Sequence, residues 1–344
     1  MTLRTGWAAA RVSLYLALFV ALLVVPPIIG HFIPQLMASY LIFGLFALSV
    51  GIITGYARLF NIGAGAVFGI ASYAVALLAA GGFTNPVLLL VAALVGGLLS
   101  AALFGIYAVL TSGIEYLMLT FLTTLAFFKL PSLAPTFTGA DNGLPIPGGV
   151  KISFGISPVH GDGFYYLVLI VVAGCVALSL YVMASQSGRA MRAIGRNPVR
   201  AAAMGYDVNA YRVVITLFSG VLSALAGWLF ALQREFVFPD LLGLNNSLNG
   251  LVYALVGGMD SILGPIVGAV GLRWVSDILS RASTQSSLFL GAVLMVVVYF
   301  MPDGIFGLLD HLAVPLAGRP PDDLPPTTSS PKVDQPAASA GTVG

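Results

Sequence analysis

Charge is what this sequence has least of: Asp, Glu, Lys and Arg make up only 8% of its 344 residues. Ordinary soluble domains carry about 25% charged residues, so the composition excludes a soluble domain of the usual kind. Hydrophobic residues make up 58% of the chain, and this balance predicts a protein that lies within a lipid bilayer. The net charge of +2 gives no support for binding to nucleic acid.

Cysteine, histidine and lysine are also scarce, and each shortage excludes a kind of site. The single cysteine, Cys175, excludes an internal disulfide and a paired-cysteine metal site. The three histidines lie far apart, which excludes a histidine metal cluster and a Ser/His/Asp triad. No lysine follows a GxxxxG phosphate-binding loop, so the chain has no means of its own to capture energy from ATP. We therefore expect no metal, no catalytic residue and no enzyme activity in this chain.

Long apolar runs are abundant, and they predict an all-α, polytopic membrane bundle of about 8–10 transmembrane helices. Most runs approach the ~20 residues that are needed to cross the hydrocarbon core. Three glycines and a proline break the last third of the bundle into two shortened helices between residues 248 and 279. These interrupting residues are Gly257, Gly258, Gly264 and Pro265. The other predicted spans are residues 12–30, 34–56, 62–81, 86–110, 114–131, 163–184, 212–234 and 286–301.

The distribution of basic residues predicts how this bundle is oriented. Residues 1–11 contain two arginines, and two prolines follow the first span where a cleavage site would need small residues. We therefore expect the first span to be retained and the N-terminus to be cytoplasmic. The loop 132–162 has a single lysine, whereas residues 185–212 have five arginines, so the positive-inside rule places the former in the periplasm and the latter in the cytoplasm.

The chain therefore divides into one membrane domain, residues 12–301, and a cytoplasmic tail, residues 302–344. From about residue 319 the tail is rich in Pro, Ser, Thr and Ala with scattered charge. Such a composition cannot bury enough apolar surface to fold, so we expect this part of the tail to be disordered.

Residues 185–212, which we call the arginine loop, have the pattern of two short helices. Ser187 is a candidate N-cap for a first helix that ends at Gly195. Asn197 is a candidate N-cap for a second helix, with a proline at its first position and Gly205 just past its end. Marking the cytoplasmic side of the membrane is the simpler explanation of the arginines. Because that task alone would not need capped helices, we also expect the loop to bind a partner.

Polar groups inside the predicted bundle are few, and they are the candidates for contact with a polar solute. The best stretch is residues 61–65, where the Asn61 amide and glycine backbone stand at the start of a span. Glycines four apart, such as Gly65 and Gly69, are equally explained by close packing of helices. Arg273 and Asp277 are four residues apart on one helix face, so we expect them to neutralise each other. The residues assigned to the translocation pathway are Asn61, Gly63, Ala64, Gly65, Glu115, Asn142, Gly257 and Gly258.

Four sequence blocks, taken in order, resemble the permease subunits of branched-chain amino acid ABC transporters of the LivM type. The blocks are residues 55–63 (GYARLFNIG) with 68–70 (FGI) and Tyr73, residues 138–144 (TGADNGL), residues 188–194 (GRAMRAI) and residues 256–269 (VGGMDSILGPIVGA). The resemblance extends from about Leu36 to Leu308, which is nearly the whole membrane domain.

This resemblance implies an importer of several subunits in the bacterial inner membrane. Its partners would be a second permease subunit, two cytoplasmic ATP-binding subunits that use ATP and Mg²⁺, and a periplasmic solute-binding protein. The chain itself would hold no cofactor. Part of the arginine loop would dock on an ATP-binding subunit, through Arg189, Arg192, Ala193, Pro198, Arg200, Ala201, Ala202, Ala203 and Gly205.

The implied substrates are leucine, isoleucine and valine. Ala64 stands where many members of the family have His or Gln, so urea and short-chain amides, which the same permease type imports, stay open as alternatives. A secondary transporter or channel without ATPase partners is an alternative of another class. Such a protein would need a repeated charged relay, and the sequence has none.

Overall fold

The computed structural model describes residues 32–146 and 162–282, together with residues 291, 295 and 304. The predicted N-terminal segment, the span 12–30, residues 147–161 of the predicted periplasmic loop and the part of the tail that was predicted to be disordered lie outside the described residues. The predicted span 286–301 also lies outside them, except for residues 291 and 295. The described part is almost entirely helical, which confirms the all-α membrane bundle.

The helices follow the apolar runs of the sequence. In chain order the elements are α1 (Phe32–Ala57), α2 (Ala64–Ala80), α3 (Pro86–Leu110), α4 (Ile114–Leu133), α5 (Pro135–Thr138), β1 (Leu144–Pro145), α6 (Asp162–Ala184), α7 (Gln186–Arg196), α8 (Pro198–Ala203), α9 (Val208–Arg234), β2 (Phe236–Val237), α10 (Leu244–Gly257) and α11 (Gly264–Ala282). Of the described helices, α1, α3, α4, α6 and α9 are long and apolar enough to cross a membrane.

One helix boundary differs from the prediction because a cap lies earlier in the chain. Helix α9 begins at Val208, four residues before the predicted start at residue 212. The carboxylate of Asp207 accepts hydrogen bonds from the backbone N–H groups of Asn209 and Ala210, both at 3.1 Å. These donors have no partner within the helix, so the polar first turn forms although hydropathy alone does not predict it.

Helix α1 is the centre of the bundle. In its membrane-length stretch 89% of the residues are buried, against 33% in α3 and 22% in α4. Helices α9, α11, α6 and α10 all pack against it. At the contact between α1, α2 and α9, the rings of Phe46 and Phe68 lie 5.1 Å apart and those of Phe68 and Phe230 lie 5.4 Å apart. This aromatic cluster holds the three helices together by burial and by favourable edge contacts.

The bundle has two structurally distinct ends. Strand β1 pairs antiparallel with β2, with Leu144 opposite Val237, so residues 135–146 and 235–243 form one end, which we call the strand end. The arginine loop contacts α1 at Tyr56 and forms the other end, which we call the arginine end. Helix α9, with 27 residues and hence about 40 Å of length, connects the two. The two loops that were predicted to face opposite sides therefore lie at opposite ends.

Helix α2 begins in the middle of the bundle. The Arg212 guanidinium donates to the carbonyl oxygen of Ala108 at 3.2 Å, which places both residues near the arginine end. Ser223, which contacts the first residue of α2, lies about three turns further along α9, roughly 16 Å at 1.5 Å per residue. Residues 58–63 therefore return from the arginine end to this level without forming a helix.

The predicted break in the last third of the bundle is confirmed between α10 and α11. Gly258 ends α10 with a φ of 102°, a conformation that glycine adopts without steric cost. A Cβ on Gly257 would lie only 1.8 Å from the carbonyl oxygen of Gly264. The two helices thus meet at their backbones, as expected where small residues replace larger side chains in a membrane bundle.

Candidate translocation and docking sites

A layer of buried polar groups crosses the middle of the bundle where α2 begins, and we call it the central polar layer. It combines the start of α2 and Asn61, three residues before it, with polar residues of α9 and α10. Its members are Asn61, Ala64, Gly65, Thr216, Ser219, Ser223 and Ser247. The structure therefore brings together the predicted pathway residues around position 61 and adds hydroxyl groups that the sequence did not assign.

Hydroxyl groups from two later helices fix the start of α2. The backbone N–H of Gly65 donates to Oγ of Ser247 at 3.1 Å. Oγ of Ser223 donates to the carbonyl oxygen of Ala64 at 3.1 Å. Since the first N–H groups of a helix have no partner within the helix, α2 can begin inside the bundle only where another chain segment supplies acceptors. Glycine is needed here because a Cβ on Gly65 would lie 2.4 Å from Oγ of Ser247.

The central polar layer is closed. Oδ1 of Asn61 accepts the backbone N–H of Gly63 at 2.7 Å, so the amide is engaged with its own turn. The ring of Phe104 covers this turn, and a Cβ on Gly63 would lie 2.3 Å from Cζ of that ring. The cavity beside Asn61 has a volume of about 10 Å³, close to the minimum for a single water molecule. Among the described residues, this cavity is too small to hold a leucine-sized solute.

The other predicted pathway residues lie away from this layer. Glu115 is exposed in the first turn of α4, and Asn142 is exposed at the strand end. Gly257 and Gly258 are buried at the break between α10 and α11. This break lies at the arginine end, near an exposed ion pair in which Arg58 and Asp260 are 3.4 Å apart. The structure thus distributes the predicted set over three levels of the bundle.

Helix α7 is anchored on the end of α1. The guanidinium of Arg192 donates to the hydroxyl of Tyr56 at 3.1 Å and lies over its ring, 4.6 Å from the centroid. A Cβ on Gly195 would lie 2.3 Å from the carbonyl oxygen of Tyr56, so the two backbones are in close contact. Met191 and Ile194 are buried on the same side. Helix α7 is therefore in direct contact with the central helix of the bundle.

The predicted cap of α7 was wrong. Ser185, not Ser187, is the N-cap: its backbone is extended and its Oγ accepts the N–H of Gly188. The helix also continues to Arg196, one residue beyond the predicted end at Gly195. Two serines two residues apart offer the same capping group, and the sequence pattern alone did not distinguish them.

Helix α8 forms the exposed tip of the arginine loop. Asn197 caps it through a 3.0 Å bond from the backbone N–H of Arg200 to Oδ1, as predicted. Ala201 is buried against the bundle, whereas Ala202 and Ala203 face outward. The neighbouring apolar side chains Val199, Met204 and Tyr206 are 79%, 60% and 41% exposed. Exposed apolar side chains close in sequence to arginines favour a protein interface.

Residues 32–298 match the family model for the branched-chain amino acid transport system permease component. This chain belongs to that permease family. The match confirms the resemblance that the four sequence blocks indicated, and it covers all of the described residues except Gly304.

Among curated proteins, the permease is similar to import subunits for different solutes. It is 29% identical over 277 residues to the autoinducer 2 import system permease protein LsrC of Enterobacter sp. (strain 638), which covers 77% of this chain and 76% of the relative. It is 26% identical over 302 residues to the high-affinity branched-chain amino acid transport system permease protein LivM of Escherichia coli (79% and 69%). It is 28% identical over 142 residues to LivH of Salmonella typhimurium (40% and 46%). No solved structure matches significantly.

The permease also has a large cavity at its strand end, which we call the strand-end cavity. Its volume is about 610 Å³, within the range of small-molecule sites. The described residues that line it are Phe43, Phe230, Arg234, Phe236, Phe238, Asp240, Leu241, Asn245, Asn246, Asn249 and Arg273. Sequence reasoning missed this site, although three asparagines within five residues, at and just before the start of the predicted segment 248–279, were a signal that could have found it.

The predicted pairing of Arg273 with Asp277 is wrong. The guanidinium of Arg273 lies over the ring of Phe43, 3.4 Å from its centroid, and the carboxylate of Asp277 accepts a hydrogen bond from the Tyr40 hydroxyl. Both partners belong to α1. Spacing along one helix predicts neighbours on that helix, but here α1 packs against this face of α11 and supplies the closer contacts.

Proposed function

We propose that this permease forms the translocation pathway of an ABC importer for branched-chain amino acids and is driven by ATP hydrolysis on partner subunits. In this arrangement it lies in the inner membrane beside a second permease, with both termini in the cytoplasm. Two ATP-binding subunits dock at the arginine end, and a solute-binding protein delivers substrate at the strand end. The chain itself needs no ATPase site, metal or cofactor for this role.

The observation that carries the proposal is the folding of the arginine loop into a separate, exposed docking element. Helix α8 and the residues that follow it expose Val199, Met204 and Tyr206 close in sequence to Arg196 and Arg200. Helix α7 connects α8 to α1 through Arg192 and Gly195. A partner that binds α8 and moves would therefore move the central helix. A loop that only marked membrane topology would need neither the exposed patch nor the anchor.

Branched-chain amino acids are favoured as substrates by the similarity to LivM and by the sparse charge of the bundle. A phosphate or polyamine would need several countercharges, since unpaired charges at membrane depth are costly. A small zwitterion with an apolar side chain needs only a few polar contacts. The second candidate is autoinducer 2, which is favoured by the 29% identity to LsrC over 277 residues.

Uptake by a strain that lacks this permease tests the substrate. We expect uptake of radiolabelled leucine, isoleucine and valine to fall, and to return when the gene is restored. Uptake of autoinducer 2, urea and acetamide is measured in parallel. Unchanged uptake of all three amino acids, with loss of one of the other solutes, transfers the assignment to that solute.

The docking role is tested by Ala202→Glu. This exposed alanine would meet a partner closely, and a carboxylate buried there without a partner costs about 2 kcal/mol or more. We expect the ATP-binding subunits to be lost on purification in mild detergent and uptake to fall about tenfold or more, at unchanged membrane abundance.

The matched control is Ala210→Glu, because Ala210 is an exposed alanine of the same loop that lies in the first turn of α9 rather than on α8. A truncation after Arg319 controls for general damage to the cytoplasmic face. Normal uptake and full retention of the ATP-binding subunits in Ala202→Glu would show that α8 is not the docking surface.

A further inference from the structure

The strand-end cavity is lined by charged, amide and aromatic side chains. The residues that the sequence assigned to the translocation pathway do not form such a combination. Its described lining has two arginines, one aspartate, three asparagines and four phenylalanines. A polyanion would meet a repelling aspartate beside the two arginines, and a polycation would meet two repelling arginines. A zwitterion would meet both of its countercharges, so the charge pattern of the cavity selects that class of ligand.

Arg273 is positioned to bind the carboxylate of such a ligand. Its guanidinium carbon lies 3.4 Å from the centroid of the Phe43 ring, a cation–π contact that holds the side chain beside α1. Its Nε is buried and has no hydrogen-bond partner among the described residues. The side chain also lines the cavity, and a guanidinium matches a carboxylate with two parallel hydrogen bonds.

Asp240 and the asparagines supply the complementary half of the cavity. Asp240 is exposed in the short helix that follows β2 and lines the cavity, where its carboxylate is available to an ammonium group. Asn245 and Asn249 are exposed in the first turns of α10, and their amide oxygens are further acceptors. Because Phe230 and Phe238 also line the cavity, an aliphatic side chain has an apolar wall beside the polar groups.

The position of the cavity links it to the closed part of the pathway. Asn246 lines the cavity, and the next residue, Ser247, belongs to the central polar layer. Phe43 lines the cavity as well and packs on Phe68 of α2. The start of α10 is therefore shared by an open cavity at the strand end and by the closed layer below it.

From this arrangement we propose that the strand-end cavity is an entry site that holds a small aliphatic amino acid, with its carboxylate on Arg273 and its ammonium group on Asp240. The site deepens the proposed function and rests on it. A solute delivered at the strand end would wait there until α10 and α2 separate at the central polar layer.

The site is tested with photo-leucine, a leucine analogue that carries a diazirine in its side chain. The complete importer is reconstituted in nanodiscs without the binding protein and is irradiated with the probe. We expect labelled peptides from α10 and from the segments around Phe43 and Phe230, and we expect excess leucine to prevent the labelling. Labelling of this chain confined to other segments would overturn the proposal.

Charge variants make the test specific. Since a hydrogen bond to a charged group contributes substantially to binding, we expect Arg273→Gln and Asp240→Asn each to lower the labelling about tenfold. Arg281→Gln is the matched control, because Arg281 is exposed in the last turn of the same helix. Asp240 is itself exposed, so its variant carries the test if Arg273→Gln does not assemble. Wild-type labelling in an assembled Arg273→Gln importer and in Asp240→Asn would also overturn the proposal.

The uptake and labelling experiments together distinguish a wrong entry site from a wrong substrate. If the deletion strain loses leucine uptake but the labels lie elsewhere on the chain, leucine is a substrate and the strand-end cavity is not its entry site. If the deletion strain keeps leucine uptake and the wild-type importer is not labelled, the proposed substrate is wrong and the entry site fails with it.

Discussion

Two polar regions of this permease, which adjoin at the start of α10, differ in burial, hydrogen bonding and volume. In the central polar layer the side chains are buried, hydrogen-bonded to protein atoms and packed around about 10 Å³ of space. In the strand-end cavity, Asn245, Asn249 and Asp240 are exposed around about 610 Å³. The first region holds helices together, and the second has polar atoms to offer to a ligand. Polar residues in a membrane protein are thus pathway candidates only when their hydrogen-bonding groups are not already used.

The largest difference between the two regions is expected when the central polar layer is overpacked. Gly65→Val would place a branched side chain where a Cβ already meets Ser247 at 2.4 Å, so we expect a loss of about 3 kcal/mol or more of stability. Gly174→Val is the matched control, because nothing lies within 4 Å of a Cβ at Gly174 of α6. The midpoint of thermal aggregation in detergent measures both. Equal midpoints would mean that the layer is loosely packed.

Replacement of an asparagine in each region makes the comparison direct. Asn61→Leu removes the acceptor of the buried Gly63 N–H, which we expect to cost about 1–3 kcal/mol. Asn249→Leu is the same change at an exposed position of the strand-end cavity, and its effect on stability should stay within about 0.5 kcal/mol. Thermal midpoints of the two purified variants give the comparison. A larger loss in Asn249→Leu would reverse the assignment of the closed and open regions.

The smallest effect is expected for a single hydroxyl of the layer. Ser223→Ala removes the bond to the carbonyl oxygen of Ala64, which also accepts its own helical bond, so we expect a loss of about 1 kcal/mol. Ser280→Ala removes a hydroxyl that binds only the carbonyl oxygen of Ser276 in its own exposed turn. Its thermal midpoint should not change. If both variants behave alike, the contact between α9 and α2 contributes nothing measurable.

Most of the described helices could be predicted from the sequence because hydropathy and helix punctuation report local properties. The span 86–110 is observed with the same limits, and the cap at Asn197 is observed as predicted. The start of α9 at Val208 was missed because its first turn is polar and depends on Asp207. These signals say where a helix begins and ends along the chain, and they carry no information about its depth in the bundle.

The candidate sites were harder to predict because they depend on contacts between distant segments. Asn61 was chosen for its amide, but the structure shows that Gly63 already occupies Oδ1. Arg273 was assigned to a pair with Asp277, whereas Phe43 and Tyr40 are the observed partners. In each case a contact in the folded structure decided whether a polar group is free to bind a ligand. The spacing of residues within one segment does not predict such contacts.

The start of α2 inside the bundle has a consequence for how the chain is made. The hydroxyl groups that bond to the start of α2 belong to Ser223 and Ser247. Ser223 lies 159 residues after its partner Ala64, and Ser247 lies 182 residues after its partner Gly65. When α2 leaves the ribosome, neither α9 nor α10 has been synthesised. The N-terminal backbone of α2 therefore enters the bilayer before its permanent hydrogen-bond partners exist, and the insertion machinery or water must satisfy it until they arrive. Assembly of the central polar layer is consequently a late step in biosynthesis, reached only after α10 has been inserted.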